Sequence, residues 1–193
     1  YYKLSYQFEH YRPLNPWLVL KVGTDLGYGD SYGSTGDAGL PFFKNFYAGG
    51  PQSVRGYEAN TLGPSYGACL PVAPATTCVP SYLQPLGGAV KVAGTFELLF
   101  PKIFKARGTR LSAFLDYGNV FAGSFDYDAY SNPVTGAVFG ADKFKFNALR
   151  ASVGVALQWQ APVGPISISY AQPLNDGEFD RVERLQFTFG QQF

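Results

Sequence analysis

Apolar and polar residues alternate along much of this chain, so that every second side chain is apolar. The stretch 95–98, Thr-Phe-Glu-Leu, shows the pattern in its shortest form. A period of two indicates a β-strand with one apolar and one polar face, because successive side chains point to opposite sides of a sheet. The sequence therefore predicts an all-β, antiparallel protein. Its strands are expected at seven segments: 2–10, 17–28, 88–100, 109–120, 147–159, 165–171 and 184–193.

The lengths of these segments and their aromatic residues distinguish a membrane barrel from a soluble fold. A soluble sandwich or a lipocalin-like barrel would show the same alternation, with its apolar face turned inward. A tilted strand of about ten residues, however, crosses the bilayer core, and outer-membrane barrels carry aromatic girdles at both interfaces. We therefore expect a transmembrane β-barrel. Aromatic residues stand at or near the predicted strand ends: Trp17, Tyr28, Phe100, Tyr117, Trp159, Tyr170 and Phe193.

The connections between the predicted strands alternate in length. Outer-membrane barrels have short periplasmic turns and long outer loops, so this rhythm sets the direction of each strand. The last strand then runs toward the periplasm, and we expect the carboxy terminus on the periplasmic side. The short connections are 11–16, 101–108 and 160–164, and the long ones are 29–87, 121–146 and 172–183.

An odd number of strands is unusual for such a barrel. Single-chain bacterial barrels have even strand numbers, and an open sheet in lipid would leave unpaired backbone groups at two edges. The sequence also begins without methionine. We therefore expect residues 1–193 to be the carboxy-terminal part of a larger barrel.

Composition narrows the classes of function. Only 15% of the 193 residues are charged, 17% are aromatic and the net charge is +1. A nucleic-acid-binding surface is normally basic, so nucleic acid is not expected as a partner. The single histidine, His10, has no serine or cysteine pattern beside it, and the acidic residues 126–128 lack the spacing of an EF-hand. We predict no enzymatic activity, no metal site and no cofactor.

The two cysteines lie in a proline-rich part of the longest connection. Cys69 and Cys78 are nine positions apart, and no further cysteine or histidine could complete a metal site with them. The sequence therefore predicts a disulfide between them and an oxidising compartment.

The connection 29–87 also contains a conspicuous arginine in Ser-Val-Arg-Gly-Tyr. Arg55 is followed by Gly56, which permits a left-handed turn. If this loop folds into the barrel lumen, Arg55 leaves bulk water and requires carboxylate partners. The polar faces of the predicted strands offer Glu97 and Asp116, with two further acids in reserve, Asp25 and Glu9. The alternative is a solvated loop arginine without such partners.

Several motifs together resemble the BamA family of outer-membrane barrel assembly proteins. The stretch Phe-Tyr-Ala-Gly-Gly-Pro-Gln-Ser-Val-Arg-Gly-Tyr resembles the sixth extracellular loop of that family. The segments GYGD, FELLFP, ALQWQAPVGPISISYAQPL and LQFTFGQQF resemble further parts of it in the same order, so the resemblance covers essentially the whole chain. It implies the last seven strands of a sixteen-stranded barrel. A loop disulfide also resembles one found in some members.

The resemblance also implies roles for particular residues. The loop motif is Val54, Arg55, Gly56 and Tyr57, where Tyr57 replaces a common phenylalanine and adds a hydroxyl without changing the aromatic role. Arg55 is expected to meet Glu97 and Asp116. The carboxy-terminal segment resembles the targeting signal of outer-membrane barrels and one side of a lateral gate, with Gly190 and Gln191 weakening its pairing. Its expected signal and gate residues are Leu185, Phe187, Phe189, Gly190 and Phe193.

The implied function is the folding and insertion of β-barrel proteins into the bacterial outer membrane without ATP. The expected partners are unfolded outer-membrane proteins, membrane lipids and, through upstream periplasmic domains, the lipoprotein subunits of an assembly complex. Transporters of the two-partner secretion system have a similar Val-Arg-Gly-Tyr loop and are the nearest alternative. A barrel enzyme and a passive porin are more distant ones.

Overall fold

A computed structural model describes residues 1–33, 39–70, 79–103, 108–123, 136–140, 143–162 and 164–190. Its main element is a seven-stranded antiparallel sheet in the order β1-β2-β6-β7-β9-β10-β12. Within the described residues the sheet is open, with β1 and β12 at its edges. Its strands are β1 (Tyr2–Asn15), β2 (Leu18–Asp30), β6 (Val90–Phe100), β7 (Thr109–Phe121), β9 (Arg150–Ala161), β10 (Gly164–Asn175) and β12 (Leu185–Phe189).

All seven predicted strands are present, but the predicted connection 11–16 is wrong. β1 continues to Asn15, and the turn to β2 is only two residues long, with Trp17 N donating to Asn15 Oδ1 (2.8 Å). Pro13, inside the predicted connection, lies at a register shift in the β1–β2 ladder. A bulge tolerates proline because one residue there needs no ladder hydrogen bond. Pro173 lies at a similar register shift, and β10 therefore continues to Asn175 rather than ending at residue 171.

The exposure of the two sheet faces is the reverse of that in a soluble protein, since the apolar face is exposed and the polar face is buried. Large apolar side chains on one face are exposed, including Phe96 (47%), Trp159 (47%) and Leu185 (65%). The polar residues on the opposite face are buried, including Asp116 (0%) and Ser152 (0%). A continuous exposed apolar face indicates contact with lipid, which excludes the soluble alternatives. Among the described residues, no helix is both long enough and apolar enough to cross a membrane.

The connections contain short strands that the alternation pattern did not predict. β3 (Gly56–Tyr57) pairs with β11 (Val182–Glu183). A separate three-stranded sheet has the order β5-β4-β8 and joins two different connections. Its strands are β4 (Ser65–Leu70), β5 (Val79–Pro85) and β8 (Gly136–Phe139). Two short 3₁₀ helices, Phe42–Lys44 and Phe146–Ala148, complete the described elements.

The hydrophobic core lies between the long connection and the polar face of the main sheet. One buried cluster joins Val54, Tyr57 and Leu62 of the connection to Val120 of β7. Small residues on the polar face, such as Ala156 and Ala171, form a second cluster around Phe114. The long connection thus packs on the inner face of the sheet, because that face provides apolar and small side chains among its polar ones.

Candidate functional site: an arginine loop on the polar face

The segment 49–60, called here the arginine loop, reaches the polar face at Val54 and Arg55. Val54 is fully buried, and Gly56 has a φ of +92°. A Cβ on Gly56 would lie 3.1 Å from the Ala171 Cβ and 3.4 Å from the Ser152 Cβ. Glycine therefore serves two purposes here: it adopts the left-handed backbone and it lets the loop approach β9 and β10 closely.

Asp116 of β7 binds Arg55 with both carboxylate oxygens. Arg55 Nε donates to Oδ2 at 2.7 Å, and Nη2 donates to Oδ1 at 2.8 Å. The backbone N–H of Arg55 also donates to Oδ2, at 3.1 Å. A paired contact of this kind fixes orientation as well as charge. Asp116 therefore holds both the side chain and the main chain of the loop.

Glu97 and Thr95 of β6 complete the polar contacts of the guanidinium. Arg55 Nη1 donates to Glu97 Oε1 at 3.3 Å, and Nη2 donates to the Thr95 hydroxyl at 3.2 Å. Thr95 in turn donates to Asp116 Oδ1 at 2.6 Å, and Ser112 donates to Glu97 Oε1 at 2.6 Å. Each carboxylate is thus held by a hydroxyl as well as by the arginine, and at Glu97 both hydrogen bonds go to Oε1.

An aromatic ring lies against the same cation. The Arg55 Cζ atom is 3.4 Å from the centroid of the Phe114 ring, within the range of a cation–π interaction. Phe114 has space on the polar face because its neighbour on β9 is Gly154. A Cβ on Gly154 would lie 2.6 Å from the Phe114 ring. The glycine therefore provides the space for the ring that contacts Arg55.

The charge balance of this cluster keeps the arginine protonated. The side chains of Arg55, Glu97 and Asp116 are exposed by 11%, 5% and 1%. Burial by itself lowers the pKa of Arg55, but the hydrogen bonds and negative charges of Asp116 and Glu97 outweigh burial and raise it above its ordinary value. The result is a permanent buried cation between two carboxylates, which is suited to holding two parts of the fold together.

Tyr57 anchors the far side of the arginine loop. Its hydroxyl donates to Asn175 O at 2.6 Å and lies 3.2 Å from Ala151 O. Gln186 Nε2 donates to the Tyr57 carbonyl at 2.7 Å. Burial raises the pKa of the Tyr57 phenol, which keeps it a neutral donor. The ring keeps its place in the buried apolar cluster, and the added hydroxyl connects the loop to the end of β10.

The sequence identified the charged members of the cluster and missed the uncharged ones. Arg55, Glu97 and Asp116 are brought together, whereas the reserve acids have other partners: Glu9 pairs with Lys21 (3.0 Å) and Asp25 with Lys91 (2.6 Å). The missed residues all occupy polar-face positions, so the period of two was a signal that could have found them. They are Thr95, Ser112, Phe114, Ser152 and Gln186.

The predicted carboxy-terminal segment is only partly described. Leu185, Phe187 and Phe189 lie on β12 and are exposed by 65%, 63% and 54%. Gly190 follows with a φ of +76°, and its N–H donates to Pro165 O at 2.9 Å. Gln191 and Phe193 lie outside the described residues, as do Cys78 and the acidic segment 126–128. Cys69 is on β4, and the predicted disulfide to Cys78 stays a prediction.

Comparison with known proteins places this geometry in a family. The sequence matches the Omp85 superfamily domain over residues 1–193. The chain belongs to the Omp85 superfamily. It is 39% identical to the outer membrane protein assembly factor BamA of Neisseria meningitidis serogroup B, over 100% of this chain and 24% of that protein. It is 27% identical to the BamA of Nitratidesulfovibrio vulgaris, over 97% of this chain and 20% of that protein.

A solved BamA structure has a similar architecture. The crystal structure of BamA from Haemophilus ducreyi lacking POTRA domains 1–3 matches with a TM-score of 0.73 and 30% identity, over 96% of this chain and 34% of that chain. The predicted resemblance to BamA and the predicted transmembrane barrel are both confirmed. The open seven-stranded sheet is accordingly part of an Omp85 barrel. The chain spans about a quarter or less of the length of the curated relatives named above.

Proposed function

We propose that this chain is part of a barrel that folds and inserts β-barrel proteins into the bacterial outer membrane. The observation that carries the proposal is the match, along the whole chain, to a protein named as an outer membrane protein assembly factor. The exposed apolar face of the sheet fits a location in that membrane. The partners are then unfolded outer-membrane proteins and membrane lipids.

The last strand is the element that supports a lateral gate. Among the described residues, the β10–β12 ladder covers Leu185–Phe189 with one further backbone hydrogen bond beyond each end, whereas the β9–β10 ladder runs from Gly164 to Asn175. A last strand that is held by a short ladder on one side can shift its position at lower cost, and its exposed outer edge templates the addition of another strand. In lipid, each client strand that pairs satisfies backbone groups that would otherwise be unpaired. Strand pairing can therefore drive insertion without ATP.

The arginine loop serves this function as an internal brace. Arg55 connects the long connection between β2 and β6 to Asp116 and Glu97, which lie on adjacent strands. An open gate removes the ladder between the first and last strands, so the neighbouring strands of the wall must keep their arrangement by other contacts. A buried cation held by two carboxylates and an aromatic ring provides such contacts.

The remaining partners and the orientation follow from the same proposal. The carboxy terminus lies on the periplasmic side, and lipoprotein subunits of an assembly complex bind through periplasmic domains upstream of the barrel. Secretion of an exported polypeptide is the alternative, since transporters of the two-partner system resemble this chain in the arginine loop. The two functions differ in the final location of the client polypeptide. Assembly leaves the client in the bilayer, whereas secretion moves it across the bilayer.

Reconstitution of the complete protein into liposomes tests the function. An unfolded outer-membrane protein is added without ATP, and its insertion is measured as heat-modifiable gel mobility and protease protection. Insertion above the level of protein-free liposomes is expected. Arg55→Ala should lower the rate, whereas Arg110→Ala, which removes an exposed arginine of β7, should not. Insertion no faster than in protein-free liposomes contradicts the proposal, and client polypeptide free inside the liposomes would favour secretion.

A further inference from the structure

Tyr57 lies between the arginine cluster and the last strand, and its contacts lead to both. It is two residues from Arg55, and its carbonyl accepts a hydrogen bond from Gln186 Nε2 on β12 (2.7 Å). The main chain on either side continues the link, because Gly56–Tyr57 pairs with Val182–Glu183 directly before β12. The N–H of Glu58 also donates to Arg181 O at 2.8 Å. The segment 56–58 is thus hydrogen-bonded to the chain entering the last strand.

Among the described residues, the Gln186 side chain has only one, longer alternative to this contact. Gln186 is 3% exposed, and its Oε1 atom already lacks a hydrogen-bond partner among the described residues. Its Nε2 atom has one further acceptor, Glu183 Oε2, at the longer distance of 3.4 Å. A buried donor that loses its acceptor incurs the full desolvation cost of that group. Moving the arginine loop away from Gln186 is therefore costly unless β12 moves as well.

The short ladder of β12 makes this side-chain contact important. Among the described residues, the strand pairs with β10 through Leu185–Phe189, with one more backbone hydrogen bond beyond each end, and no strand pairs with its other edge. The Gln186–Tyr57 bond and the β3–β11 pair hold the amino-terminal end of β12 from inside the barrel. The Phe189 end has no such contact with the arginine loop among the described residues, and it is followed by Gly190, where a Cβ would meet nothing within 4 Å.

We propose that Tyr57 and Gln186 are positioning residues that couple the seating of Arg55 to the position of the last strand. With Arg55 in its cluster, Tyr57 presents its carbonyl to Gln186 and the start of β12 is held against β10. Withdrawal of Arg55 breaks that contact and loosens the start of β12. The proposal rests on the proposed function only in treating β12 as a gate strand, because the coupling itself is a property of the folded barrel.

Amide hydrogen exchange of the complete protein in lipid nanodiscs tests the coupling. Gln186→Leu should raise exchange of 56–58 and of 185–189 by about fivefold, the factor expected for one net hydrogen bond. Thr188→Val, on the same strand and the same face, should leave exchange of 56–58 unchanged. Arg55→Ala should raise exchange of 185–189, although the hydrogen bonds of Arg55 are to β6, β7 and β9.

The double variant distinguishes coupling from two separate effects. If Arg55 acts on β12 through Gln186, the two substitutions should not add fully. In the double variant, exchange of 185–189 should then be less than about twofold faster than in the faster-exchanging single variant. Unchanged exchange of 185–189 in Arg55→Ala, or single effects that multiply in the double variant, would overturn the proposal. Gln186→Met, which keeps the length of the side chain but removes the amide donor to the Tyr57 carbonyl, is a milder second variant if Gln186→Leu does not fold. Exchange of 185–189 at the wild-type rate in Gln186→Met counts against the coupling.

Exchange requires no client, so the two proposals fail separately. Coupled exchange in a protein that inserts no client leaves this inference standing and removes the proposed function. Client insertion with uncoupled exchange supports the proposed function and removes this inference.

Discussion

The guanidinium of Arg55 lies 3.4 Å from the Phe114 ring centroid, on the face of the sheet that in a membrane barrel is expected to be polar. One buried cation therefore has an aromatic contact in addition to its two carboxylates. Desolvation strengthens a cation–π interaction, which contributes about 2 kcal/mol or more away from water. The ring is consequently part of the binding site for the arginine and not only a member of the apolar core.

Replacing Phe114 tests this contribution directly. Phe114→Leu keeps an apolar side chain but removes the π face, and it should lower the free energy of unfolding by about 2 kcal/mol. Phe96→Leu makes the same change on the lipid-facing side of β6, where the ring stacks on Tyr117 with centroids 6.1 Å apart. That pair contributes about 1 kcal/mol. Urea unfolding in detergent micelles measures both variants, and equal losses would contradict a specific role for Phe114.

The charged part of the cluster gives a second prediction. Arg55→Ala leaves Glu97 and Asp116 buried without their cation, and it should lower the free energy of unfolding by about 3–5 kcal/mol. Adding Glu97→Gln and Asp116→Asn to that variant should restore part of the loss, since no uncompensated buried charge remains. Heat-modifiable mobility over a temperature series measures the order of stability. A triple variant that is less stable than Arg55→Ala would show that charge is not the cause.

The strands were predictable from the sequence because one face of each strand contacts lipid and the other face points into the barrel. That constraint produces a strict period of two over about ten residues, and it also placed Glu97 and Asp116 on the inner face. The alternation did not extend the strands past Pro13 and Pro173, where the ladders continue through register shifts that tolerate proline.

The rest of the site depends on contacts that local sequence does not encode. β3 is only two residues long and pairs with a segment more than a hundred positions away, so no periodicity can mark it. Phe114 breaks the expected polar pattern of its face, and only the loop that covers it makes an aromatic residue favourable there. The acceptors for the Tyr57 hydroxyl are the carbonyl oxygens of Asn175 and Ala151, which approach it only in the folded sheet.

Gly56 allows the contribution of crowding to be separated from that of backbone strain. Gly56→Ala should lower the free energy of unfolding by about 1–3 kcal/mol, because φ is +92° and the new Cβ would meet Ala171 and Ser152. Gly33→Ala is the matched control: its φ is +71°, but a Cβ there would meet nothing within 4 Å. The control should lose only about 1 kcal/mol. Urea unfolding measures both variants. Similar losses in the free energy of unfolding would mean that the close approach of the loop to β9 and β10 adds nothing to the cost of a side chain at position 56.

The buried phenol of Tyr57 gives a prediction with a defined pH dependence. Burial raises its pKa above the ordinary value of 10.0, so the folded protein keeps the phenol neutral at a pH where the unfolded chain ionises it. Its stabilising contribution is fully present below pH 10 and is lost as the pH rises above that value. At pH 7, Tyr57→Phe should be less stable than the wild type by about 1 kcal/mol, the net value of one hydrogen bond.

Above pH 10 the difference between these two proteins should shrink, because phenylalanine does not titrate. Tyr6→Phe is the control, since Tyr6 is 58% exposed on the outer face of β1. Urea unfolding from pH 7 to 11 measures the three proteins side by side. A wild-type advantage over Tyr57→Phe that stays constant across this range would mean that the folded protein ionises Tyr57 as readily as the unfolded chain. The hydrogen bond from its hydroxyl to Asn175 O would then not be what stabilises the loop.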